Sequence, residues 1–147
     1  MKKGTFILCF IFMFFASKAQ DANMIGKIVN GTATLTANAD LLCKALSRNL
    51  ATESNIKEDF RSAELIKRDT SYILVFHGSK YKTTFPVRVD NFNLVVNPHT
   101  SCTTSDRDCV KDPNGCVPSG GVGQCACSGC PNDAACTKTC TTASLLE

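Results

Sequence analysis

The chain has no tryptophan, only two histidines, and not one Phe or Tyr from Pro98 to its end. The last of these shortages is the most informative. Without aromatics, the C-terminal stretch has Val110, Val117, Val122, Leu145, Leu146 and a few alanines as its apolar side chains. That surface is too small to offset the entropy of ordering a backbone, roughly 1–2 kcal/mol per residue. A hydrophobic core of its own is therefore excluded there, and covalent or metal cross-links must hold it.

An excess of positive charge is missing too, once the N-terminus is read correctly. Met1-Lys2-Lys3, the apolar run from Phe6 to Ala16 and then Ser17-Lys18-Ala19 have the order of a secretory signal peptide. The expectation is that residues 1–19 are removed before Gln20. Eleven apolar residues cover about 16 Å as a helix, against about 30 Å of hydrocarbon, so the run is too short for a membrane span. Of the 16 basic residues, Lys2, Lys3 and Lys18 leave with this segment. The mature chain then carries 13 basic and 13 acidic residues over 128 positions, one domain's worth. A neutral chain has no electrostatic pull on nucleic acid or an anionic membrane. The expected setting is secreted or periplasmic, with no transmembrane segment after cleavage.

What the chain has in abundance is cysteine. Eight fall within 39 residues of the tail: Cys102, Cys109, Cys116, Cys125, Cys127, Cys130, Cys136 and Cys140. For an exported protein the leading reading is four disulfides, because such bonds persist outside the reducing cytosol. Eight cysteines allow 105 pairings, so connectivity stays open. Cys125 and Cys127 are poor partners for each other, since a single intervening residue strains the bridge. The alternative takes Cys125, Cys127, Cys130 and Cys136 as a thiolate claw for zinc or copper. A zinc ribbon, however, uses two Cys-x-x-Cys knuckles, and only Cys127/Cys130 makes one. The same pair lacks the strand-to-helix setting of a redox motif. Cys43 sits on an apolar helical stripe and reads as a free core thiol.

The body, residues 20–97, alternates between two periods. Ile25 to Leu35 reads as a strand, or as a hairpin turning at Asn30-Gly31. Ala39, Leu42, Cys43, Leu46 and Leu50 recur at helical spacing, giving a helix over about residues 37–51 with Thr36 or Asn38 as its cap. Four β segments follow: 62–67, 72–77, 80–89 and 92–96. In the third, Tyr81, Thr83, Phe85, Val87 and Val89 alternate with Lys82, Thr84, Pro86, Arg88 and Asp90, the pattern of a half-solvated antiparallel strand. Pro86 cannot donate to a ladder, which places that strand at an edge or a bulge. The expected fold is α+β: one helix packed on a four- to five-stranded antiparallel meander. Residues 98–147 follow as a loop-rich, disulfide-stapled tail.

No catalytic constellation stands out. His77, His99, Asp69 and Asp90 fall at turns, where polar residues belong anyway. A Cys43–His77 pair is not aligned by the pattern, and Ser119-Gly120-Gly121-Val122-Gly123 lacks the Gly-Lys-Ser/Thr ending of a phosphate loop. Two resemblances add to this. Gly115-Cys116-Val117-Pro118, Cys127-Ser128-Gly129-Cys130 and Cys136-Thr137-Lys138-Thr139 resemble the ends of small exported bacterial proteins, a likeness that implies no activity. The strand–helix–four-strand order over residues 25–97 is similar to the cystatin-like architecture, which implies a protease-inhibitor role through exposed hairpins. Gly78-Ser79 beside Asp69-Thr70 is the expected wedge. Arg68-Asp69-Thr70-Ser71 stands where those inhibitors carry Gln-x-Val-x-Gly. The expected function is thus a non-enzymatic exported binding or structural module for a protein or cell-envelope component, without a cofactor. Tail metal binding and cystatin-like inhibition are the alternatives.

Overall fold

The computed structural model describes residues 23–119, 126–130 and 136–139. The expected leader, its cleavage point before Gln20, and Cys125 and Cys140 lie outside the described residues. Strands β1 (Met24–Val29) and β2 (Thr32–Leu35) form a hairpin about Asn30-Gly31, and both turn residues have positive φ, 50° and 77°. Positive φ at both centres is what Asn-Gly supplies at least steric cost. Helix α1 (Ala39–Glu53) follows, two residues later than the spacing predicts. Asn38 caps it, its Oδ1 accepting from Asp40 N at 2.9 Å and Leu41 N at 3.1 Å.

Strands β3 (Ser62–Arg68), β4 (Ser71–His77), β5 (Lys82–Asp90) and β6 (Asn93–Val96) form the expected meander, each antiparallel to the next. β6 then pairs with β1, giving the order β3-β4-β5-β6-β1-β2. The two edges, β2 and β3, curl into contact, so the sheet is nearly a barrel. The core fills its concave side. Leu42, Cys43, Leu46 and Leu50 of α1 pack on Ile25, Leu74, Phe76, Phe85, Val87, Leu94 and Val96. Phe76 and Phe85 meet edge to face, 5.8 Å between centroids. The class is α+β, dominated by strands.

The tail is not a run of loops. It contributes β7 (Ser101–Thr104), a short α2 (Arg107–Lys111), β8 (Val117–Ser119), β9 (Ala126–Ser128) and β10 (Thr137–Thr139). β7 pairs with β5, and β10 with β7, so the tail extends the body's own sheet. This corrects two expectations about β5. The strand is central, not an edge: β4 lies on one side, while β6 and β7 share the other, end to end. Pro86 falls at the break between them, where its carbonyl accepts from Asn97 N at 3.0 Å and no donor is demanded of the ring nitrogen. Nor is β5 half-solvated over its first half. Lys82, Thr83, Thr84 and Phe85 are all buried, because the tail covers the outer face. Val117 packs there on Ile73 and Val75. Thr84 Oγ1 donates to the carbonyl of Cys116, and Thr83 Oγ1 meets Thr103 Oγ1 at 2.9 Å.

Candidate functional site

Beneath that cover the tail has a core made of sulfur. Among the described residues three disulfides close, Cys102–Cys127, Cys109–Cys130 and Cys116–Cys136, with Cα separations of 5.8, 5.5 and 5.9 Å; the expected fourth would involve Cys125 and Cys140, which lie outside them. Cys102, Cys109, Cys116 and Cys130 are buried together, with Cys127 and Cys136 packed against them. Disulfides of this number belong in an oxidising compartment. Cys127 and Cys130 bond to different partners, so their Cys-x-x-Cys spacing does not form a bridge of its own.

Four of the six sulfurs draw closer still. Those of Cys109, Cys116, Cys130 and Cys136 all lie within 4.8 Å of one another. Between bonded pairs, Cys109 to Cys116 measures 3.5 Å, Cys116 to Cys130 3.7 Å and Cys130 to Cys136 3.8 Å. The group differs from the four expected from spacing. Cys127 is bonded to Cys102 instead, and Cys109 and Cys116 join Cys130 and Cys136. Six residues separate Cys109 from Cys116, a spacing outside the knuckle pattern, so no local signal marks them. Short-range capping sets their positions. Asp106 Oδ1 accepts from Asp108 N and Cys109 N to start α2, and Asp112 Oδ1 accepts from Asn114 N and Gly115 N to turn the loop toward Cys116. Gly115 sits at φ +61° in that turn. Lys82 Nζ donates to the carbonyl of Asp112. Burial pushes the Lys82 ammonium below its ordinary value, against the opposing pull of Asp112 and Glu64.

The other residues singled out from sequence stay apart. Cys43 carries a free thiol buried under α1. Burial raises its pKa, with smaller contributions from the charges of Asp40 and Asp59. His77 ends β4 at the surface, where its Nε2 meets Glu64 Oε1 at 2.6 Å. His99 is exposed in the turn after β6. Glu58 braces the Gly78-Ser79 turn, its carboxylate accepting from Ser79 N at 2.7 Å, Ser79 Oγ at 2.9 Å and Lys80 N at 3.1 Å. That turn is therefore tied down, and it lies at the opposite end of β4 from Asp69-Thr70.

Asp69-Thr70 has different neighbours. The register of β3 to β6, β1 and β2 brings three hairpin tips to one end of the sheet: Asp69-Thr70, Asn91-Phe92 and Asn30-Gly31. All six residues are exposed. Asn91 and Phe92 both have positive φ, 48° and 66°, in a two-residue turn between Asp90 and Asn93. Asparagine tolerates that region, whereas for a bulky phenylalanine it is an outlier. Phe92 is 73% exposed, and Val29 and Val89 at the same end are exposed as well. The sequence does not single out Phe92, because an aromatic after Asn91 reads as the start of the next strand.

Among the described residues no helix is long and apolar enough to cross a membrane. The chain matches no family model, no curated protein and no solved structure.

Proposed function

We propose that the chain is an exported, non-enzymatic binding module that takes a protein partner at the hairpin-tip end of its sheet. The disulfide-linked tail serves as a brace on the outer face of the sheet, over the first half of β5. The observation that carries this reading is Phe92, an exposed aromatic held in left-handed backbone, which costs the fold about 1–2 kcal/mol. A strained residue with most of its surface in water serves little within the fold, and such outliers gather where a molecule binds. Aromatic anchors beside small apolar side chains are also what interface hot spots are made of. Val29, Val89 and Phe92 supply that composition at one end. The leader-like order of residues 1–19 and the disulfides support export to the periplasm or the medium.

The test is site-specific photo-crosslinking in the producing cell. A benzophenone side chain is placed at position 92, at position 30, or at position 79 at the other end of the sheet. The expected result is one protein band captured from 92 and 30 and absent from 79. Equal capture from 79, or none from 92, overturns the assignment. A protease in that band would make the inhibitor reading the specific one.

A further inference from the structure

We propose that Cys109, Cys116, Cys130 and Cys136 form a tetrathiolate site for one zinc ion in the reduced chain, using the same sulfurs that close two disulfides in the oxidised one. The geometry is already close to that of the metal. Sulfurs about 2.3 Å from a tetrahedral zinc stand about 3.8 Å from one another. The three separations measured across the two bonded pairs are 3.5, 3.7 and 3.8 Å. These separations are close to the edge length of a zinc tetrahedron, and all four sulfurs lie within 4.8 Å of one another. The other requirement is that the two bonded pairs open to the same spacing, a shift of about 1.7 Å from an ordinary disulfide.

Each sulfur comes from a different segment, and each segment is anchored by something other than its own bond. Cys109 lies in α2 behind the Asp106 cap, and Cys116 follows the Asp112 turn. Cys116 and Cys130 flank the β8–β9 hairpin, and Cys136 precedes β10, which is laddered to β7. Reduction removes the covalent links but not these local anchors, and the zinc then replaces the two bonds as the cross-link that holds the four thiols together. Cys109, Cys116 and Cys130 are 0%, 1% and 6% exposed, which keeps water from competing for the ion. All-sulfur tetrahedral coordination favours zinc over the hard cations. Four thiolates around a divalent ion leave two negative charges, and Lys82 is hydrogen-bonded into the loop that joins two of the ligands.

The chemistry balances simply. A trialkylphosphine and one water open each disulfide, phosphorus going to the phosphine oxide and the sulfurs to two thiols. Four thiols then release four protons as zinc binds. The experiment uses the mature protein, oxidised or phosphine-reduced without oxygen, with zinc alone or cobalt(II) as the spectroscopic stand-in. Native mass should show one zinc per reduced chain and none on the oxidised chain, and cobalt should give the bands of a tetrahedral four-thiolate centre. Cys102→Ser/Cys127→Ser should keep the zinc; Cys109→Ser/Cys136→Ser should lose it. Protection of Cys43 from alkylation reports that the body is still folded. No stoichiometric zinc on the reduced chain overturns the proposal, as does zinc kept by Cys109→Ser/Cys136→Ser with Cys43 protected. If that variant fails to fold, Cys116→Ser decides through its cobalt spectrum. One thiolate fewer than in the native chain upholds the site, and an unchanged spectrum overturns it.

Discussion

Replacing Phe92 by asparagine should leave the stability of the oxidised protein nearly unchanged, a result unusual for an aromatic in a strand-rich domain. Two effects oppose each other. Phe92 is 73% exposed, so about a quarter of its surface is covered. Full burial of a phenylalanine contributes about 1.5–3 kcal/mol, which makes the share at stake about 0.4–0.8 kcal/mol. Against this, a φ of 66° at a non-glycine residue costs about 1–2 kcal/mol, much of which asparagine recovers through its tolerance of the left-handed region. The difference should lie within about 0.5 kcal/mol of zero, whereas Phe85→Ala in the core should cost about 3–5 kcal/mol. Urea denaturation with tail disulfides intact reads both variants as midpoint shifts at constant slope. A loss above about 1.5 kcal/mol for Phe92→Asn would mean that the side chain holds the fold together, and the argument that it faces a partner would fail.

Other perturbations read the brace and the core. Cys102→Ala/Cys127→Ala opens a bridge spanning 25 residues and should cost about 3.5 kcal/mol by loop entropy, measured by the same denaturation; a loss under about 1 kcal/mol refutes a bracing role for that bond. Glu58→Gln should cost about 1–2 kcal/mol at neutral pH, because it replaces charge-assisted hydrogen bonds to Ser79 and Lys80. Burial alone would raise the Glu58 pKa, but the hydrogen bonds from Ser79, Lys80 and Tyr81 outweigh it and bring it below the ordinary 4.5. Its contribution is thus full above that value and fades as pH falls through the lower folded-state value, so Glu58→Gln should flatten the acid limb of stability against pH. An unaltered acid limb contradicts this. Cys43 should resist alkylation in the native protein near neutral pH, since burial keeps the thiol protonated as well as covered. The raised pKa also predicts that stability is full below the thiol's unfolded value and declines as pH rises toward the folded one. Fast native labelling of Cys43 refutes both statements.

What could be read from the sequence is what depends on neighbours a few residues apart. The Asn30-Gly31 hairpin, the Leu42-Leu46-Leu50 stripe and the strand alternation of residues 81–89 are all local patterns, and each formed the element it implied. What could not be read depends on what a face meets. Alternation correctly separated Lys82 and Thr84 from Thr83 and Phe85, but it assigned the first pair to water. The tail that buries them arrives from about 30 residues downstream, through Asp112 and Cys116. Pro86 misled for the same reason: its missing donor marks a gap in the ladder, and here the gap lies between two strands rather than outside an edge. Cysteine spacing fared likewise. Cys127 and Cys130 are neighbours in sequence and belong to different bonds, while Cys109 and Cys130 meet across 21 residues. A tail without aromatics can order itself only through such distant pairings, so the scarcity of local apolar signal and the illegibility of the pairing have one cause. That same scarcity makes the sulfur cluster dense: with no rings to fill the space under β5, the cysteines themselves become the packing, and four of them crowd within 4.8 Å. Close packing of thiols is also the condition for binding a metal, so a brace built this way carries the makings of a site without further design.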